Sequence, residues 1–150
     1  VILAYSWRSL RELLREPDFP AMLYAHWLEG EPHKEACPYS PMVQRYVDLD
    51  DAGGYAVWVA QDGELIAGYI GMFVQPHMHS GVVTATGDLF HMLPAYRGHY
   101  YPMLKACVPA LRERGVVRWF MGDRPAGSLA AVYHRLGFVD IEHTYAKLLT

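Results

Sequence analysis

A few residues in this chain could do chemistry by their type and spacing. Asp88 and His91 stand three residues apart in Val82 to Met92, a stretch that reads as a strand. A carboxylate or an imidazole there could move a proton. Side chains alternate across a strand, so the two are expected to face opposite sides and not to act together. Arg97-Gly98 lies where that strand gives way to a helix from about Tyr101. A turn feeding a helix N-terminus offers unpaired N–H groups and the positive end of the helix dipole, and the matching chemistry is anion binding. His77-x-His79 could present two imidazoles, but it lies in a Pro-containing turn with no third ligand at useful spacing. It reads as a solvated hairpin tip, and no metal site is expected. Cys107 falls on the apolar face of a helix and reads as a small core residue. No Gly-x-Ser-x-Gly, complete P-loop or zinc-ligand cluster is present.

The elements that would position these residues can be read from periodicity. Val1 to Tyr5 reads as a short strand, and Ser6 as the cap of a helix carrying Trp7, Leu10, Leu13 and Leu14 on one face. Pro17 and Pro20 break it, and a second helix runs from Ala21 to Glu29. Glu31 to Pro41 is a loop, and Met42 to Leu49 one or two helical turns before the breaker cluster Asp50 to Gly54. Tyr55 to Ala60, Leu65 to Val74 and Val82 to Met92 predict a three-stranded antiparallel meander, with Asp62-Gly63 as its first turn. Tyr101 to Arg114 is helical despite Pro109, and Gly115 stops it. Val116 to Met121 is a strand, Ser128 caps a helix that ends at Gly137, and Val139 to Leu149 closes the sheet as a last strand. The order β-α-α-β-β-β-α-β-α-β is an α/β (α+β) arrangement: a central mixed, mostly antiparallel sheet flanked by helices.

Length and composition exclude other classes. A chain of 150 residues with 52% hydrophobic and 19% charged residues suits one globular domain, residues 1–150. The net charge of −3, with basic and acidic residues interleaved, speaks against nucleic acid as a partner. No apolar run has the length of a membrane span, so no membrane partner is expected. Cys37 and Cys107 stand in unrelated contexts, so reduced thiols and a cytoplasmic location are expected.

Two segments resemble one family in both motif and order. Met92-Leu93-Pro94-Ala95-Tyr96-Arg97-Gly98-His99-Tyr100-Tyr101-Pro102 is similar to the strand-to-helix cofactor motif of the GCN5-related N-acetyltransferases (GNAT), V-x-P-x-Y-R-G-x-G-x-G. Ala131 to Phe138 is similar to the family's A-x-x-x-Y-x-x-x-G-F helix, and Glu142 to Leu148 looks like its last strand. Tyr100 and Pro102 stand where the family has its second and third glycines, so the resemblance is to a divergent member, and small GNAT-like proteins of bacteriophages look similar.

The resemblance implies acetyl-coenzyme A as cosubstrate and direct transfer to an amine, on a small molecule or a protein. It places the cofactor at Met92, Leu93, Arg97, Gly98, His99, Tyr100 and Tyr101, with the strand around Leu89 to Leu93 pairing with the pantetheine arm. It makes Tyr133 the acid that protonates the leaving thiolate and Asp88 the base, with Glu142 as runner-up. The plainer readings are a core aromatic for Tyr133 and a solvent-facing acid for Asp88. A second function stays open: a non-catalytic GNAT-like binding or structural module, in a homo-oligomer or a larger assembly such as that of a phage.

Overall fold

The unbroken apolar run Tyr55 to Ala60 is the pattern of a strand covered on both faces. In the computed structural model, which describes residues 1–150, it is the buried centre of one sheet. Five strands form that sheet in chain order: β1 (Ala4–Arg8), β2 (Tyr55–Asp62), β3 (Leu65–Pro76), β4 (Val83–Met92) and β5 (Arg118–Phe120). Neighbours from β1 to β4 are antiparallel, and β4 and β5 are parallel. The β2–β3 hairpin turns at Gly63, whose φ of 59° needs a glycine. The expected fold class, a mixed, mostly antiparallel sheet flanked by helices, is the one observed.

Helices cover both faces. On one lie α1 (Leu10–Leu13), α2 (Phe19–Gly30) and α3 (Val43–Asp51), whose Leu13, Phe19, Met22 and Val47 pack on Tyr55, Val57, Val59 and Tyr69. On the other lie α4 (Tyr100–Glu113) and α5 (Ala130–Arg135), whose Met103, Leu104, Cys107 and Tyr133 pack on Trp58, Ile70, Met72 and Met92. Leu13 and Phe19 are buried to 2% exposure or less, and each such side chain contributes roughly 1.5–3 kcal/mol. Pro109 sits inside α4 on its exposed side, beside exposed Lys105 one turn back. The carbonyl that loses its donor can therefore face water, and the helix continues.

Five local readings change. β1 is displaced towards the C-terminus because Ser6, Trp7 and Arg8 pair with Val59, Trp58 and Val57. Ser6 therefore caps nothing, and α1 is a single turn whose Leu10 N–H is capped by the Asp50 carboxylate at 2.9 Å. Pro20 lies in the first turn of α2, where its missing N–H costs nothing, rather than breaking a helix. Ser128 does not occupy the N-cap of α5, which is Leu129, although its hydroxyl accepts from Ala130 N–H at 3.2 Å. The residues from Val139 to Leu149 form no strand: they run exposed beyond Gly137, whose φ of 88° ends α5, and no strand pairs with them.

Candidate active site

The site begins with a bulge. Across β3–β4, Gly71 pairs with Leu89 and Met72 with Gly87, so Asp88 is an extra residue with no partner. Such an insertion shifts alternation by one and re-aims the side chains beyond it. Asp88 and Leu89 consequently line the same cavity, on the α1–α3 face of the sheet. Gly87 faces the other side, where an added Cβ would strike Met121. His91 reaches the Asp88 side as well, packing on His26 and Tyr69 of that cavity wall. The expectation that Asp88 and His91 face opposite ways is thereby corrected: simple alternation fails across the extra residue.

Asp88 is exposed, as the plainer reading expected, but it is not alone. The hydroxyls of Tyr46 and Tyr55 both donate to its Oδ2, at 2.9 and 3.0 Å. Burial pushes the Tyr46 phenol up to about 12 and the Tyr55 phenol far higher, and the carboxylate adds to both shifts, so both remain donors at neutral pH. Oδ1 takes part in no protein hydrogen bond and is the free acceptor. The cavity has a volume of about 450 Å³ and is walled by Leu10, Leu14, Phe19, Leu23, Trp27 and Val57.

Beside it stands a pair of imidazoles. His26 and His91 stack with ring centroids 4.8 Å apart, and His26 Nδ1 shares a 2.8 Å hydrogen bond with the Tyr69 hydroxyl. Burial, then the proximity of His91 and Arg124, pulls His26 down to about 4. Burial also lowers His91. Both rings are neutral at pH 7. Sequence reasoning passed over Tyr46, Tyr55 and Tyr69 because they come from α3, β2 and β3; His26 was legible only as one of the aromatic residues of the first two helices, not as a partner of Tyr69 and His91. Gly87 inside a strand was the one local signal of the bulge.

The opposite edge of β4 opens at the same level. The β4–β5 ladder ends at Thr86 and Phe120, so from Gly87 to Met92 the strand has no partner on that side. Tyr133 reaches the end of β5 and donates to Gly122 O at 3.1 Å. Burial pushes its phenol well above the ordinary value, so it holds its proton. After Met92 and Leu93, residues Pro94–His99 form a 3-10 helix running straight into α4. Space above Gly98 is open, since an added Cβ would meet nothing within 4 Å. Arg97 Nη2 donates to both carboxylate oxygens of Glu29 of α2, at 2.8 and 2.6 Å, and Tyr100 packs edge-on against Phe90 at 5.1 Å. Pro102 is the third residue of α4 and has no N–H to offer. Arg135 lies over the Tyr101 ring, 4.0 Å from its centroid, and brings a cation to the start of α4.

The remaining candidates lie elsewhere. Glu142 is exposed on the irregular C-terminal segment. His77 and His79 sit at an exposed turn, and no three metal-ligating side chains cluster anywhere. Cys37 is exposed and Cys107 buried, both as free thiols.

The arrangement of sheet, bulge and α4 defines a known architecture, the fold of the GCN5-related N-acetyltransferases. Solved structures of that type superpose along the whole chain. An aminoglycoside acetyltransferase from an uncultured soil metagenomic sample has a TM-score of 0.76 at 13% identity, covering 100% of both chains. Ribosomal-protein-alanine N-acetyltransferase of Brucella melitensis biovar Abortus 2308 has 0.72 at 11%, covering 99% of this chain and 100% of that one. A predicted acetyltransferase with acetyl-CoA from Clostridium acetobutylicum has 0.67 at 12%, covering 99% and 97%. No family model and no curated protein matches the sequence.

Proposed function

We propose that residues 1–150 form one catalytic domain that transfers an acetyl group from acetyl-CoA to an amine by direct attack. The observation that carries this reading is Asp88 on its bulge, with a free Oδ1 in an apolar cavity, level with the open edge of β4.

The residues present suit acetyl-CoA in two places. The unpaired edge of β4 around Leu89 to Leu93 offers backbone groups to an amide-bearing arm. The open space at Gly98 and the backbone from Arg97 to Tyr101 suit a diphosphate at the start of α4. Arg135 adds a charge there that sequence reasoning did not identify. Bound acetyl-CoA supplies the activated thioester carbonyl. In this reading Asp88 Oδ1 accepts the proton that the amine sheds as the C–N bond forms. Tyr46 and Tyr55 hold the carboxylate in place. The Tyr133 hydroxyl returns a proton to the thiolate as the C–S bond breaks. Two free thiols suit a reducing, cytoplasmic setting.

Mass-spectrometric detection of acetylated product from acetyl-CoA and an amine panel tests the reading. Asp88→Asn should lower kcat/KM by roughly 10²–10⁴-fold with binding of CoA unchanged. An unchanged rate removes Asp88 from the mechanism. A second reading, a non-catalytic module with this fold, is favoured by the Arg97–Glu29 pair and by Pro102, which together leave fewer donors for phosphate. It is the answer if folded protein shows no binding to CoA at millimolar concentration.

A further inference from the structure

The cavity above Asp88 has a chemistry of its own. Its walls are Leu10, Leu14, Phe19, Leu23, Trp27 and Val57, and its floor carries one carboxylate ringed by phenols. The only other carboxylate in the lining is Glu31, whose Oε1 already accepts from His33 N–H at 2.8 Å. Arg124 brings a positive charge to the same lining, beside Gly30. The imidazole of His26 adds no charge at neutral pH. A polycationic aminosugar would meet two carboxylates opposed by one cation, a single net negative charge, and walls that are mostly apolar, with few groups for its many hydroxyls. Burying such polar groups without partners is costly.

We infer that the amine taken by this site is a small apolar monoamine, with its nitrogen on Asp88 Oδ1 and its hydrocarbon body among Phe19, Leu23, Trp27 and Val57. This rests on reading the cavity as the acceptor side of the acetyltransferase. The volume of about 450 Å³ admits such a molecule with room to spare, and apolar walls with a few convergent polar groups are the usual build of a small-molecule site. The unshared Oδ1 of the Asp88 carboxylate favours an ammonium over a neutral head group, since a charge-assisted hydrogen bond is the stronger one.

Calorimetry without any acetyl donor tests the inference on the wild-type protein, using 2-phenylethylamine, its neutral analogue 2-phenylethanol, methylamine and tobramycin. Phenylethylamine should bind about tenfold or more tighter than each of the other three. Asp88→Asn should abolish its advantage over the alcohol. Trp27→Ala should weaken phenylethylamine while leaving methylamine unchanged, which keeps the test decisive if the Asp88 variant does not fold. Tobramycin binding as tightly as phenylethylamine overturns the inference, as does an alcohol binding as well as the amine, or no binding by any of the four. Adding acetyl-CoA then separates the two readings. If phenylethylamine binds through Asp88 and no N-acetyl product forms, the ligand class stands and the acetyltransferase reading falls.

Discussion

At the scale of residues, the site is a set of protonation states held by burial. Tyr55 is 1% exposed, and its hydroxyl has Asp88 as its partner. Tyr55→Phe removes a donor to a charged acceptor, and should cost about 1.5–3 kcal/mol in urea unfolding, with a lower transfer rate. His26 gives a pH signature. Its pKa is about 4 in the folded protein against an ordinary 6.5, so the unfolded chain binds more protons between those values. Unfolding is therefore favoured as pH falls through that window, and His91 acts in the same direction. His26 is partly exposed, so its share is on the order of 2 kcal/mol between pH 7 and pH 4. His26→Gln should flatten that slope in chemical unfolding at stepped pH, and an unchanged slope would remove His26 from the account.

At the scale of elements, the bulge decides what the sheet can do. Gly71 sits opposite it, and a Cβ there would collide with the Tyr55 hydroxyl. The ring is rigid and buried, so Gly71→Ala should push the phenol off Asp88. We expect a loss of about 1–3 kcal/mol in stability together with a fall in activity. If Gly71→Ala matches wild type in both, the close packing of Tyr55 does not hold the carboxylate. The C-terminal segment shows the opposite case. Val139, Ile141, Tyr145 and Leu149 alternate as a strand would, yet they are 65–90% exposed with no strand beside them. Limited proteolysis should trim this segment first and leave the body through Phe138 with its melting temperature nearly unchanged. Periodicity was legible there, but a strand needs a neighbour, and local pattern cannot supply one.

At the scale of the whole molecule, two helices from distant parts of the chain meet at the start of α4. Glu29 of α2 neutralises Arg97, and α5 lays Arg135 over Tyr101. Glu29→Gln should free Arg97 and tighten CoA binding, whereas Arg135→Ala should weaken it. Each change is expected to be about three- to tenfold, as for one charge at a partly exposed anion site. Titration with CoA at two salt concentrations reads both, since the effect should shrink as ions screen it. Equal affinities for all three proteins would move the diphosphate away from α4.

The sequence by itself determined the order of elements as far as α5, the meander, the turn at Gly63 and the strand-to-helix junction at Arg97-Gly98. Each of these depends on residues close in the chain: alternation, a glycine at positive φ, a helix begun after a turn. It also singled out Asp88 and Tyr133 through a resemblance of motifs. Only the tertiary structure decided what surrounds them. The pairing of Gly71 with Leu89 created the bulge, and four elements brought Tyr46, Tyr55, His26 and Tyr69 to one wall. The hydrogen bonds of Tyr69 to His26 and of Tyr46 and Tyr55 to Asp88 join residues 43, 42 and 33 positions apart, and they are selected by the packing of two helical layers on one sheet, a physical condition that no local window of sequence contains.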